Sequence, residues 1–468
     1  MGSHTVEKIG GTSMSQFERM LDNVIIGDRK DADLYNRIFV VSAYGGITDF
    51  LLEEKKTGEP GVYCRFADND PSWEAALSAV GDRMRQINAE LGAIGLDAAA
   101  ADEFVTERLE GIRNCLLDLK RLCSYGHFQM SNYLPAVREM LSAVGEVHSA
   151  YNSVDILKKR NVKSLLVDLS GWMEAENLPF DEKITSTFVD IDVTAVLPIV
   201  TGYTKCAEGI MSTYDRGYSE ITFSKIAVLT DAREGVIHKE FHLSSGDPKL
   251  VGAENVAIIG HTNFDVADQL ADLGMEAIHP KASKPMEAED IPIRVKNAFE
   301  PDHPGTLISR DYLSDSPRVE IITGRRNIAG IEVWDPDMVG QSGYDYRLLH
   351  CFKKYGISYI TKNTNANTIT HYVPDTAKNL DKCVHDLEEN LPTARVTVSK
   401  VAIVSAIGSN MKFPGFLSKT ANVLAEAEIN ILACDQCMRQ VNMQFIVDGE
   451  QFEAAIIALH RGLIEKQV

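Results

Sequence analysis

Beyond about residue 318 the chain states one pattern twice. Ile331, Gly343, Phe352, Ile357 and Ile360 recur as Ile403, Gly415, Leu424, Ile429 and Leu432, and the steps from 343 to 415 and from 357 to 429 are both 72 residues. Each copy reads strand, glycine turn, amphipathic helix, strand, and then a third strand, around Thr368–Val373 in the first and Val441–Val447 in the second. A final helix from Glu453 to Ile464 closes the second copy. A module this small cannot hide both of its faces, so the two copies are expected to pair side by side. A run rich in Pro and Gly, Asn297–Gly305, marks the boundary with what precedes them.

The earlier residues alternate strands with helices. Val6–Ile9 is a short extended run that enters the turn Gly10-Gly11-Thr12-Ser13. Ser15 with Glu18 is a capping-box pattern, and Phe17, Met20, Leu21 and Val24 follow at helical spacing. Paired glycines let the backbone approach a bulky anion, a following helix start offers unpaired N–H groups, and Lys8 adds a point charge just before them. Arg37–Ala43 is a buried strand running into a second glycine turn, Tyr44-Gly45-Gly46-Ile47-Thr48. Helices dominate from about 72 to 151, and further strands are expected at Lys163–Asp168, Val196–Gly202, Gly235–His238 and Val256–Gly260, with a helix starting near Ser219. Such alternation implies a three-layer α/β domain with a mainly parallel sheet, whose ligands sit at the carboxyl ends of the strands.

Composition removes several function classes. Acidic residues outnumber basic ones by 67 to 47, a net charge of −20, which argues against nucleic acid as a partner. No stretch approaches the ~18 apolar residues of a membrane span and no signal peptide is visible, so a cytoplasmic location is expected. The 8 cysteines lack framework spacing and read as reduced thiols, Cys434 and Cys437 included. No GxGxxG and no Gly-Lys pair occurs, so a nucleotide site must be of another type.

Taken in order, Lys8–Ser13, Val41–Thr48, Gly145-Glu146, Asp215–Glu220, Ala277–Pro280 and Ile293–Asn297 with Pro304-Gly-Thr306 resemble the aspartokinases. Val41–Tyr63, Tyr125–Phe128 and His238–Ser245 are most similar to the divergent aspartokinases of ectoine biosynthesis. The resemblance implies an amino-acid-kinase domain over 1–305 and two ACT modules, ferredoxin-like in fold, over 318–395 and 396–468. It implies ATP with Mg²⁺ and L-aspartate as ligands, 4-phospho-L-aspartate as product, and a homodimer paired through the ACT modules. Gly10 and Gly11 would cradle the transferred phosphoryl group while Lys8 neutralises its charge. Thr12 and Ser13 would complete the nucleotide-side turn. Ser42 and Thr48 would line the aspartate pocket, Arg216 would hold the substrate α-carboxylate, and Glu146 its ammonium group. Aspartate's own carboxylate is the nucleophile, so no general base is required.

Several positions depart from the family pattern. Tyr218 and Glu220 replace a Gly and an Asp, with Glu220 still expected to face substrate. Lys239 and Glu240 stand where the family carries a Thr-Asp nucleotide pair; Thr230-Asp231 matches in type but not in spacing from Arg216. Lys249 replaces an arginine, and Glu276 replaces a lysine near the phosphates, for which Lys281 or Lys284 would compensate. Ile360 stands where lysine-sensitive relatives carry an acid, so weak or absent lysine inhibition is expected. The alternatives are a general aspartokinase of lysine, threonine and methionine synthesis, and a non-catalytic amino-acid sensor.

Overall fold

The computed structural model describes residues 2–55, 57–214, 217–275 and 277–465. They form two compact units, Met1–His242 with Ile278–Arg310, and Leu243–Ala277 with Asp311–Val468. In the first, β1 (Thr5–Ile9), β2 (Arg37–Val41), β3 (Ser164–Val167), β4 (Leu197–Thr201), β5 (Glu234–Lys239), β7 (Ile293–Asn297) and β8 (Thr306–Ser309) are ordered β3-β4-β2-β1-β5-β7-β8. All pair in parallel except β7 with β8. Apolar runs such as Ile38-Phe39-Val40-Val41 are buried throughout, as a sheet covered on both faces demands.

Alternation along β1 sends Lys8 to one face and Glu7 to the other. Lys8 meets the helix Tyr218–Leu229 through Glu220. Glu7 lies between Arg37 of β2 (Nε–Oε1, 2.7 Å) and His238 of β5 (Nε2–Oε2, 2.7 Å), and Arg37 also donates to the carbonyls of Val24 and Ile25. Helices therefore cover both faces of the sheet, giving three layers. Burial would raise the Glu7 pKa, but Arg37 and His238 outweigh it and hold that carboxyl well below its usual range.

Two expectations are corrected in detail. Ser15 is not a helix cap: the first helix, Gly11–Met14, starts at Gly10, and the Ser15 hydroxyl accepts the Gly45 N–H at 2.8 Å. The hydroxyl is spent on tying the two glycine turns together. Val256–Gly260 is not a strand; it makes one bridge, Ser244 with Ile258, and β6 follows at His261–Asn263.

The second unit carries a six-stranded antiparallel sheet ordered β10-β11-β9-β12-β14-β13. Its strands are β9 (Ile321–Trp334), β10 (Thr361–Thr364), β11 (Thr368–Pro374), β12 (Arg395–Ile407), β13 (Ala433–Asp435) and β14 (Asn442–Asp448). The repeated helices are Tyr344–Lys354 and Phe416–Glu426, each opened by a glycine in left-handed conformation, Gly343 and Gly415. Strands β9 and β12 pair along their whole lengths, with a register shift between Val401 and Ile403. The later half of β9 pairs β11 in the first module, and the later half of β12 pairs β14 in the second. The first half of β9 thus edges the second module although it precedes the first in sequence. Residues 243–277, counted above in the 1–305 span, pack with this unit. Ile322 N–H donates to Ser245 O at 2.8 Å, and the Ser245 hydroxyl bonds His460 Nε2 at 3.0 Å.

Candidate active site

The carboxyl ends of β1, β2, β4 and β5 open on one side of the sheet, and the charged residues gather there. Gly11 must be glycine, since a Cβ would lie 2.8 Å from the Ala43 carbonyl oxygen beneath the second glycine turn. A Cβ on Gly10 would lie 3.9 Å from Lys8 Nζ, so the ammonium stands beside the turn. Lys8 Nζ is 3.1 Å from Glu220 Oε1, both side chains being largely buried. Glu220 Oε2 accepts the His279 N–H at 2.6 Å. Burial alone would raise the Glu220 pKa, but Lys8, Lys239 and that peptide N–H outweigh it and hold the group ionised. Ser13 donates its hydroxyl to Glu240 at 2.7 Å, which brings the segment after β5 onto the first turn.

The facing wall is the long helix Leu134–Lys159. Its Ser149 hydroxyl donates to Ser42 O at 2.8 Å, anchoring the end of β2. Glu146, 2% exposed, accepts the Ser219 hydroxyl on Oε1 at 2.6 Å, while its Oε2 has no hydrogen-bond partner among the described residues. Burial pushes its pKa up to about 8; the Ser219 hydroxyl, the Lys8 charge and the Tyr203 backbone oppose that only in part. A buried carboxylate oxygen without a donor is a vacancy for a cation. Glu220, by contrast, has a donor on each oxygen.

Lys8, Gly10, Gly11, Ser13, Ser42, Glu146, Glu220, Lys239 and Glu240 thus come together. Thr12 is exposed on the first turn, and Thr48 lies half-buried in the helix Ile47–Leu51. Lys249 belongs to the second unit, where it follows the cap Asp247. Arg216 and Glu276 lie outside the described residues. Lys281 donates to Thr213 O at 3.0 Å. Thr230 sits at the other end of the strands, bonded to His4 at 2.8 Å, which accords with reading Glu240 and not Thr230-Asp231 as the segment beside the turn. Sequence reasoning gave no role to Ser219, Ser149 or His279, although Ser219 and His279 fall within the motifs Asp215–Glu220 and Ala277–Pro280.

Comparison with known proteins shows the family. The amino acid kinase family matches residues 4–297, and an ACT domain matches residues 404–463. Aspartate kinase Ask_Ect of Stutzerimonas stutzeri is 54% identical over 466 residues, spanning 99% of this chain and 98% of that protein. Chloroplastic aspartokinase 2 of Arabidopsis thaliana is 27% identical, spanning 98% of this chain and 84% of that one. Among solved structures, E. coli aspartokinase III in complex with aspartate and ADP has the same fold, with a TM-score of 0.73 at 23% identity over 99% of this chain and all of that one. The chain belongs to the amino acid kinase family and, within it, to the aspartate kinases.

Proposed function

We propose that this enzyme transfers the γ-phosphoryl group of ATP to the side-chain carboxylate of L-aspartate, releasing ADP and 4-phospho-L-aspartate. The observation that carries the reading is the pairing of Lys8 beside the Gly10-Gly11 turn with a buried, half-satisfied Glu146 on the facing wall. The turn offers N–H donors and Lys8 a charge where the phosphoryl group builds negative charge. The attacking oxygen needs no deprotonation near neutral pH, since a carboxylate is already ionised. Glu146 takes the substrate ammonium on Oε2, which orients the far carboxylate toward the turn. Glu220 holds the Lys8 ammonium in place where it faces the substrate. Ser13 and Glu240 form the nucleotide side, with Lys239; Arg216 takes the α-carboxylate, and Ser42 and Thr48 line the pocket.

Mg²⁺ carried on the ATP phosphates supplies charge neutralisation there. The donor groups of the turn suit phosphate oxygens and leave the metal to the nucleotide. We propose that it acts in the cytoplasm and feeds ectoine synthesis, the latter on its likeness to Ask_Ect of Stutzerimonas stutzeri. We propose that it works as a homodimer joined through its ACT modules, with weak lysine or threonine feedback. Ile360, half-buried and donating its N–H to Tyr372 O, offers no carboxylate to an effector ammonium.

The test is ATP-dependent formation of aspartyl hydroxamate from L-aspartate, Mg²⁺ and hydroxylamine. The wild type should form product, and Lys8→Ala should lose about 10²–10³-fold of kcat. No product from the wild type would overturn the reading and leave the amino-acid sensor.

A further inference from the structure

The carboxylate of Glu139 stands in none of the roles above, yet it makes three hydrogen bonds at the edge of the site. Its Oε2 accepts the Tyr203 hydroxyl at 2.8 Å. Its Oε1 accepts the peptide N–H groups of Met211 and Ser212 at 2.9 and 3.2 Å. Glu139 lies on the same long helix as Glu146, two turns earlier and on the same side. Ser142, between them on that side, accepts the Tyr218 hydroxyl on its carbonyl at 3.5 Å. One helix side therefore grips the chain after β4 at Tyr203, at Met211 and Ser212, and again at Tyr218 and Ser219.

Tyr203 is the link that reaches Glu146. Its neighbour Gly202 passes so close that a Cβ there would lie 3.0 Å from Glu146 Oε1 and 2.8 Å from the Ser219 side chain. The Tyr203 backbone is itself among the groups acting on the Glu146 charge. The Tyr203 ring packs edge-on against Tyr218 with centroids 5.9 Å apart. Tyr203 and Glu139 also line a cavity of about 830 Å³ with Met140, Val144, Val147 and Trp172. Tyr203 is buried, and its hydroxyl tether to Glu139 fixes the position of the ring.

We propose that Glu139 is a positioning residue for L-aspartate: through the Tyr203 hydroxyl and the Met211 and Ser212 N–H groups it sets the wall that presents the free oxygen of Glu146. Glu139 touches no substrate. This inference rests on Glu146 receiving the substrate ammonium, as proposed above.

The test uses steady-state kinetics of the full-length enzyme in the hydroxamate assay. Glu139→Ala should raise KM for L-aspartate about tenfold, with kcat within threefold and KM for ATP unchanged. Tyr203→Phe keeps the ring, removes only the tether, and should raise the same KM about three- to fivefold. Glu139→Gln retains an acceptor for the peptide N–H groups and a polar partner for the tyrosine, and should restore the KM to within twofold of wild type. Equal KM for L-aspartate in wild type and Tyr203→Phe would overturn the proposal, as would a fall in kcat with KM unchanged. If Glu139→Ala does not fold, Tyr203→Phe decides the matter. Failure of the wild type itself to make product would instead sink the kinase reading, so the two failures are distinguishable.

Discussion

The two walls of the site hold buried carboxylates of opposite character. On the wall built by β1 and the helix Tyr218–Leu229, Glu220 has a donor on each oxygen, Lys8 on one and the His279 N–H on the other. On the wall built by the long helix, Glu146 keeps one oxygen without a donor among the described residues. The difference appears in their proton affinities: the Glu220 pKa is lowered by its partners, and that of Glu146 is pushed up to about 8 by burial. A carboxylate with a donor on each oxygen fixes its neighbours, whereas one with an oxygen to spare suits the cation role proposed for Glu146. Residue type alone would assign both acids to substrate.

The contrast breaks most sharply in Glu146→Gln, which removes the charge proposed to receive the ammonium. Its kcat/KM for L-aspartate should fall about 10²-fold, mostly through KM. Glu220→Gln leaves Lys8 without its ion-pair partner and should act mainly on kcat, by about tenfold, with KM for L-aspartate little changed. Equal effects of the two variants on KM would erase the distinction. A pH series sharpens it further. Below pH about 8 the free enzyme carries Glu146 protonated, and that proton must leave before an ammonium binds. KM for L-aspartate should therefore fall as pH rises from 6 toward 8, by up to about tenfold per unit, and then level. In Glu146→Gln that slope should vanish. The smallest effect is expected from lysine, which at low-millimolar concentration should leave the wild-type rate unchanged; substantial inhibition would contradict the role given to Ile360.

Much of this architecture could be read from the chain because the signals were local. The strand entering Gly10-Gly11 forces a tight approach, and the 72-residue repeat shows as matched positions. Choosing Glu240 over Thr230-Asp231 needed only spacing. What stayed hidden depends on contacts far apart in sequence. Ser15 offered a plausible cap, but Gly45, thirty residues on, takes its hydroxyl. Val256–Gly260 has strand composition, yet Ile258 is 40% exposed and has no ladder to join. The sharing of β9 and β12 between the two modules arises from strand length, which a repeat alignment does not register. No pattern distinguishes Glu139 from any other acid on a helix surface, and the second donor on Glu220 follows only from where the His279 peptide lies.

The account turns on Glu146 as the receptor of the substrate ammonium. Its most direct test compares L-aspartate with succinate, which has the same carboxylates and no amino group, as phosphoryl acceptors for wild type and Glu146→Gln. The wild type should prefer L-aspartate by about 10²-fold or more in kcat/KM, and the variant should narrow that preference to within about tenfold. A variant that keeps the full preference would contradict the account and move ammonium recognition elsewhere in the site.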